Sequence, residues 1–336
     1  VLRHAWIAGV IILFSTVRAA EHLLAWVALG EAERVEVLDL TTGSVLKNIE
    51  IGTAPTQLSI SPDLNYLYVS CRSDGQTRVV KPLSGAPIKR LPYVHPLFIP
   101  GDPTHYYAPG LGGVFRYEVD GYRFDQLAYL PDTQNSYAYS VSADGEWFVY
   151  VQHFVDWRGG GITNPPVYER VAVCNLAEAT GTYLELDFEP LSVAVAPTGE
   201  FALVGGEDGT VLLLGLGDPP RTILSDSFDL PVRFVGFKHD ASELYFAFSN
   251  LVFTSWTRYW TTAEPVAPDY RVHRAAEDMK IVAGSVAPDG RVVLLDTAGH
   301  IFLVDPAAEE GEIEPVLNLE SASSGLTVAL VDEEDL

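Results

Sequence analysis

A short pattern recurs seven times along this chain: an apolar, alternating stretch, a tight corner rich in Asp, Pro and Gly, then a second apolar stretch. The corners fall at Ser61-Pro62-Asp63, Gly101-Asp102-Pro103, Ala143-Asp144-Gly145, Pro197-Thr198-Gly199, His239-Asp240-Ala241, Pro288-Asp289-Gly290 and Val331-Asp332-Glu333. Successive corners are separated by 39, 42, 54, 42, 49 and 43 residues. A period of about 40–45 residues is what a four-stranded β-sheet unit of a closed ring occupies. Helical repeats of similar period place apolar residues at i, i+3 and i+4, whereas the flanking runs here are short and rich in β-formers. The expected fold class is therefore all-β: a seven-bladed β-propeller of four-stranded antiparallel blades, with no strong helix candidate after residue 20.

The two ends of the chain support closure of the ring. The chain stops just past the seventh corner, and residues 23–27 match the strand that follows a corner, as 67–70 do. One blade would then take its innermost strand from residues 326–331 and its outer three from about 22–51. Such pairing of the C-terminal strand with the N-terminal strands removes exposed sheet edges. Residues 20–336 are expected to form this single domain.

Residues 1–19 read as a signal peptide. Arg3 and His4 form a basic start, residues 5–17 are uncharged and mostly apolar, and Val17-Arg18-Ala19 offers small residues at the cleavage-determining positions. An uncleaved anchor is the other reading, although thirteen residues are short for a span of about 20. The expected location is periplasmic or secreted.

Composition mainly excludes. With 48% apolar and 20% charged residues the chain can bury a large core and is not disordered. A formal charge of -24 repels a phosphate backbone or an anionic membrane surface, so nucleic acid is not expected as a partner. Cys71 and Cys174 fall in non-adjacent blades, too far apart for a disulfide, and two free thiols are expected. No haem-attachment, zinc, P-loop, G-x-S-x-G or H-E-x-x-H pattern occurs, so no cofactor or metal is called for. Scattered residues can still assemble a catalytic site in a propeller, which leaves catalysis open.

The segments Asp39-Leu40-Thr41-Thr42-Gly43, Ile51-Gly52-Thr53-Ala54-Pro55-Thr56, Ser61-Pro62-Asp63 and Tyr66-Leu67-Tyr68-Val69 resemble the YVTN-type propeller repeat. The likeness is clear over residues 33–86 and keeps pieces at 193–206 and 286–305; the defining tetrapeptide here reads Tyr68-Val69-Ser70-Cys71. It implies an exported propeller of the kind that often serves as a binding subunit, including partners of quinoprotein and surface systems. It carries no activity.

Loops between second and third strands, and between blades, share one face around a propeller's channel, where ligands most often bind. On that face Arg72, His95 and His153 are expected, together with the long insertion at 153–169 that carries Trp157 and Arg158. Trp157 and Arg158 are candidate anchors, or Trp157 folds back to cap the channel. Arg271, His273 and Arg274 form the one basic cluster, suited to a carboxylate or phosphate, unless Glu277 and Asp278 neutralise it. As metal ligands or general bases His105, His153 and His300 lack close-set spacing and read as structural or solvated, and the corner aspartates read as backbone caps rather than metal ligands.

Three functions stay open. The first is a non-catalytic module binding a protein partner in the cell envelope or a small anionic ligand. The second is a lactonase-like hydrolase, which requires Arg72, His95, His153 and Arg271 to converge. The third is the propeller subunit of a redox complex, with the aromatic group Trp256, Tyr259 and Trp260 as an interface unless it packs between blades.

Overall fold

A computed structural model describes residues 21–110, 112–121, 123–130, 136–155, 167–248, 251–255, 270–275, 280–319 and 325–332; at a few strand positions, His153 among them, it describes only the backbone. The signal-peptide segment 1–19 and the aromatic group Trp256, Tyr259 and Trp260 lie outside the described residues. All regular structure in the described residues is β-strand, and no helix there is long and apolar enough to cross a membrane.

The strands fall into seven sheets. The first joins β1 (Glu21–Leu29), β2 (Arg34–Asp39) and β3 (Ser44–Glu50) to β28 (Gly325–Asp332) from the far end of the chain, in the order β28-β1-β2-β3. The second holds β4 (Pro55–Ile60), β5 (Leu67–Cys71), β6 (Gln76–Val80) and β7 (Pro87–Pro92), and the third β8 (His105–Gly110), β9 (Gly113–Glu118) and β10 (Phe124–Tyr129). Next come β11 (Ser136–Val141) to β14 (Thr180–Glu185) with β12 (Trp147–Val155) and β13 (Val167–Asn175) between them, then β15 (Pro190–Val195), β16 (Phe201–Gly206), β17 (Thr210–Gly215) and β18 (Arg221–Ser227). The sixth contains β19 (Phe234–Phe237), β20 (Leu244–Ala247), β21 (Leu251–Ser255) and β22 (Tyr270–Arg274), extended by β26 (Gly311–Glu312). The seventh contains β23 (Ile281–Val286), β24 (Val292–Asp296), β25 (His300–Val304) and β27 (Pro315–Asn318). First strands of successive sheets lie side by side: β11 by β15, β15 by β19, β19 by β23, β23 by β28 and β28 by β4. This is the all-β propeller architecture.

Burial explains why apolar content falls outward along each sheet. A second strand is covered on both faces by the neighbouring sheets and reads as a continuous apolar run, as in β5, β16 and β24. Outer strands β3, β7 and β18 are largely exposed and polar. Closure is by direct antiparallel pairing of β1 with β28, with Leu24 opposite Ala329 and Trp26 opposite Thr327.

The corners share one geometry. In four of them one residue donates its N–H to the carbonyl five residues on, while its own carbonyl accepts the N–H of the residue three on: Ser61 with Tyr66 and Leu64, Ser142 with Trp147 and Gly145, Ala196 with Phe201 and Gly199, and Lys238 with Glu243 and Ala241. The corner carboxylates accept the N–H two residues later, from Asn65, Thr104, Glu146, Ser242 and Arg291. Asp63, Asp102, Asp144, Asp240 and Asp289 are thus turn caps. Among the described residues no group of three or more His, Cys, Asp or Glu is placed to hold a metal ion.

Two sheets depart from the expected four strands. The third has three, because Pro96, Pro100 and Pro103 remove N–H donors from its innermost segment, which keeps only the bridge between Leu97 and Tyr107. The sixth has five, because β26 crosses over from the next sheet and pairs in parallel with β22. Cys71 and Cys174 are buried, unpaired thiols, and burial pushes the Cys174 pKa up to about 12.

One turn makes the backbone constraint measurable. Gly209, between β16 and β17, has φ of 89°, and a Cβ there would lie 1.9 Å from the carbonyl oxygen of Phe228. Gly75, with φ of 65° in the matching turn of the second sheet, has open space around it. Gly75→Ala is expected to cost about 1 kcal/mol from the left-handed backbone alone. Gly209→Ala is expected to cost about 3 kcal/mol, because backbone must also move. Urea unfolding of the two variants checks the difference.

Candidate functional site

Each sheet's first strand runs from the face where the chain arrives from the preceding sheet to the face of the corner aspartates. Four of these strands carry a β-bulge at their start, between Pro55 and Gln57, Ser136 and Ala138, Pro190 and Ser192, and Ile281 and Ala283. A bulge twists the strand and re-aims its side chains. Here the bulged starts surround a cavity of about 380 Å³ on the ring axis, walled by all seven sheets: Gln57, Tyr139, Ser192, Phe234, Ala283 and Leu326, with His95 from the irregular segment ahead of β8.

His95 is placed by its neighbours. The carbonyl of Val94 accepts hydroxyl bonds from Ser70 at 2.6 Å and Thr77 at 2.7 Å, and the Val94 N–H donates to Thr77 Oγ1 at 2.9 Å. Tyr139 donates its hydroxyl to the His95 carbonyl, tying the third sheet's irregular segment to the fourth sheet. The imidazole meets the Tyr93 ring edge-on, with centroids 4.5 Å apart, and its Nδ1 is buried without a hydrogen-bond partner. Burial first, and then the positive charge of Arg72, push the His95 pKa down to about 4, so the ring is neutral at pH 7.

Arg72 is exposed on the turn between β5 and β6, on the same face. Beside it Arg78 pairs with Asp74 at 3.1 Å and also donates to the carbonyl of Ile51. Across the cavity Arg233, a wall residue, pairs with Glu207 of the turn between β16 and β17 at 3.1 Å. Arg72 thus stands on the same face as His95, near enough for its charge to act on the ring.

The structure places Arg271, His273 and Arg274 elsewhere. These residues form an outer strand, β22, rather than a loop between blades. Arg271 Nη1 donates to the carbonyl of Pro306 at 2.8 Å and feels the charge of Lys238, a corner residue, which puts it at the end of the sheet away from the cavity mouth. The Val272 N–H donates to Glu310 at 3.2 Å, and the Ile313 N–H donates to the Arg274 carbonyl at 2.7 Å. His273 is buried under this crossing; burial lowers its pKa, while Glu310 and Asp305 oppose the change. The acidic segment 305–314 is thus the counterpart of the basic cluster, whereas Glu277 and Asp278 lie outside the described residues. His153 sits on β12 opposite Glu169, near the cavity face, its side chain outside the description, and Trp157 and Arg158 lie outside the described residues altogether.

Gln57, Tyr139, Ser192 and Arg233 were not legible as site residues, because the first three lie within strands and Arg233 directly precedes one, while ligand sites are expected in loops. Arg233 had one signal: a lone cation inside an otherwise apolar run, residues 230–237. His105 and His300 hydrogen-bond Asp102 and Asp296, at 3.1 and 2.9 Å.

Chemically, the arrangement suits recognition. A histidine with a pKa near 4 is a weak base at neutral pH, and its buried Nδ1 has no hydrogen-bond partner among the described residues. The walls combine apolar side chains with a few hydrogen-bonding groups, the usual make-up of a small-molecule pocket.

No family model matches the chain, and no curated protein matches it. Its fold is similar to several solved structures. One is described as Kuenenia stuttgartiensis hydrazine synthase, with a TM-score of 0.65 and 13% identity over 83% of this chain and 91% of that one. Another is a functionally unknown protein from Desulfotomaculum acetoxidans, with a TM-score of 0.65 and 12% identity over 91% of this chain and 98% of that one. A third is the β-propeller domain of Myceliophteria thermophila Cps50 (Swd1), with a TM-score of 0.60 and 9% identity over 80% and 88% of the two chains. At such identities the likeness speaks for the propeller fold alone.

Proposed function

We propose that this chain is an exported, seven-bladed propeller of the YVTN type, one blade to each sheet, that works as a non-catalytic binding module. Its site is the channel mouth on the face that carries Arg72 and His95. The observation that carries this reading is the cavity itself: all seven sheets supply a wall, and bulges at four strand starts shape it. The repeat quoted above supports the family, and the basic, apolar start of the chain supports export. The hydrolase reading loses ground because Arg271, one of its four required groups, sits on an outer strand and bonds Pro306.

The test is native mass spectrometry of tagged protein purified from its own envelope, beside an Ala283→Phe variant whose added ring fills the cavity. The expected result is a bound small molecule or a stoichiometric partner, present in the wild type and lost in the variant. Release of the same species by both proteins, or none from either, overturns the assignment of the site. A captured partner that carries a redox cofactor would turn the module into a redox-complex subunit without moving the site.

A further inference from the structure

We infer that the channel mouth takes a small monocarboxylate with an apolar body, its carboxylate between Arg72 and Arg233, which approach from opposite sides, and its body against Leu58, Leu97, Phe234 and Leu326. This rests on the channel-mouth reading above and adds the ligand's charge, charge number and shape.

The charge follows from the pairing of the cations. Arg78 is held by Asp74, and Arg233 by Glu207, but Arg72 makes no ion pair among the described residues. Arg72 stands on the turn two residues beyond Ser70, a wall residue whose hydroxyl bonds the Val94 carbonyl next to His95, and its field helps keep the His95 ring uncharged. In a chain with a formal charge of -24, an uncompensated cation beside a neutral histidine makes the mouth locally favourable for an anion. Glu207 engages only the two terminal nitrogens of Arg233, so the remaining donors of that guanidinium can meet a second carboxylate.

The charge number follows from what is absent at the wall. His95 adds no second positive charge, and one guanidinium without an ion pair among the described residues matches one negative charge rather than the two of a phosphate monoester. The shape follows from the lining. The cavity lies at the small end of the about 300–1,000 Å³ typical of ligand pockets, and Leu58, Leu97, Leu191, Val193, Phe234 and Leu326 supply apolar wall. Inorganic phosphate has nothing to place against those side chains.

The experiment uses the folded chain and three probes of like size, phenylacetate, 2-phenylethanol and phenethylamine, with inorganic phosphate as a fourth, by calorimetric titration. Phenylacetate is expected to bind at least tenfold more tightly than the alcohol, with no measurable binding of the amine or of phosphate. Arg72→Gln, an exposed change that breaks no ion pair, is expected to lower phenylacetate affinity about tenfold and leave the alcohol unchanged. Glu207→Gln, which frees Arg233, is expected to raise phenylacetate affinity several-fold, a gain that misfolding cannot mimic. Equal binding of alcohol and carboxylate, an Arg72→Gln variant that binds phenylacetate as well as wild type, or no binding of any probe overturns the carboxylate assignment. If the alcohol or amine binds and Ala283→Phe abolishes it, the channel site stands and only the anion falls.

Discussion

Replacing Trp26 with alanine is expected to lower the unfolding free energy by about 3–5 kcal/mol, the range for deleting a buried aromatic. Trp26 is fully buried in β1, opposite Thr327 of the closing strand, and packs among Val35, Val37, Ile49, Leu67, Val69 and Val331, between the first sheet and the second. Its Nε1 donates at 2.9 Å to the carbonyl of Pro82, in the turn between β6 and β7 of the neighbouring sheet. The alanine variant opens a cavity at the junction of closing strand, first sheet and second sheet, and also orphans that carbonyl. Trp26→Phe separates the two effects: it keeps most of the volume, loses the hydrogen bond, and is expected to cost about 1–3 kcal/mol. Urea unfolding curves of the three proteins give the comparison. A loss below about 1 kcal/mol for the alanine variant would contradict the packing of closing sheet on second sheet.

That junction was legible in the sequence because both of its halves are local signals. Residues 23–27 carry the apolar run that follows every corner, and residues 326–331 carry the run that precedes one, so their pairing needed only the rule that a ring of sheets leaves no open edge. The corner aspartates were legible for the same reason: an Asx cap is decided within three residues. The basic stretch 271–274 was not. Its outcome depends on residues 305–314, which lie in the next sheet, and a two-residue parallel bridge between segments nearly forty positions apart leaves no periodic trace. The cavity walls were missed on related grounds. Gln57, Tyr139 and Ser192 look like ordinary strand residues, and only bulges formed against the second strands turn those strand starts toward the channel. His95 was legible because the blade register puts it in a loop between blades, on the face where propellers bind ligands.

The stability of the protein is expected to fall by about 3 kcal/mol more than that of a His95→Gln variant as the pH drops from about 6.5 to about 4. The His95 pKa is about 4 in the fold, against about 6.5 in the unfolded chain. Between those values the unfolded chain holds a proton that the folded protein does not, so unfolding is favoured as the pH falls; below pH about 4 both states are protonated and the loss levels off. Glutamine has no such window, and the difference between the two proteins isolates the ring from every other titrating group. Arg72→Gln removes the second cause of the shift and is expected to raise the His95 pKa, narrowing the window from its acid end. The same linkage reaches the proposed ligand. A carboxylate seated beside Arg72 opposes that residue's field, so phenylacetate, kept ionised above pH about 5, is expected to raise the His95 pKa. Titration of the ring by NMR, with and without phenylacetate, reads both pKa values in one experiment. A ring that titrates near 6.5 in the free protein would mean that the mouth is open to water and that His95 does not form its wall.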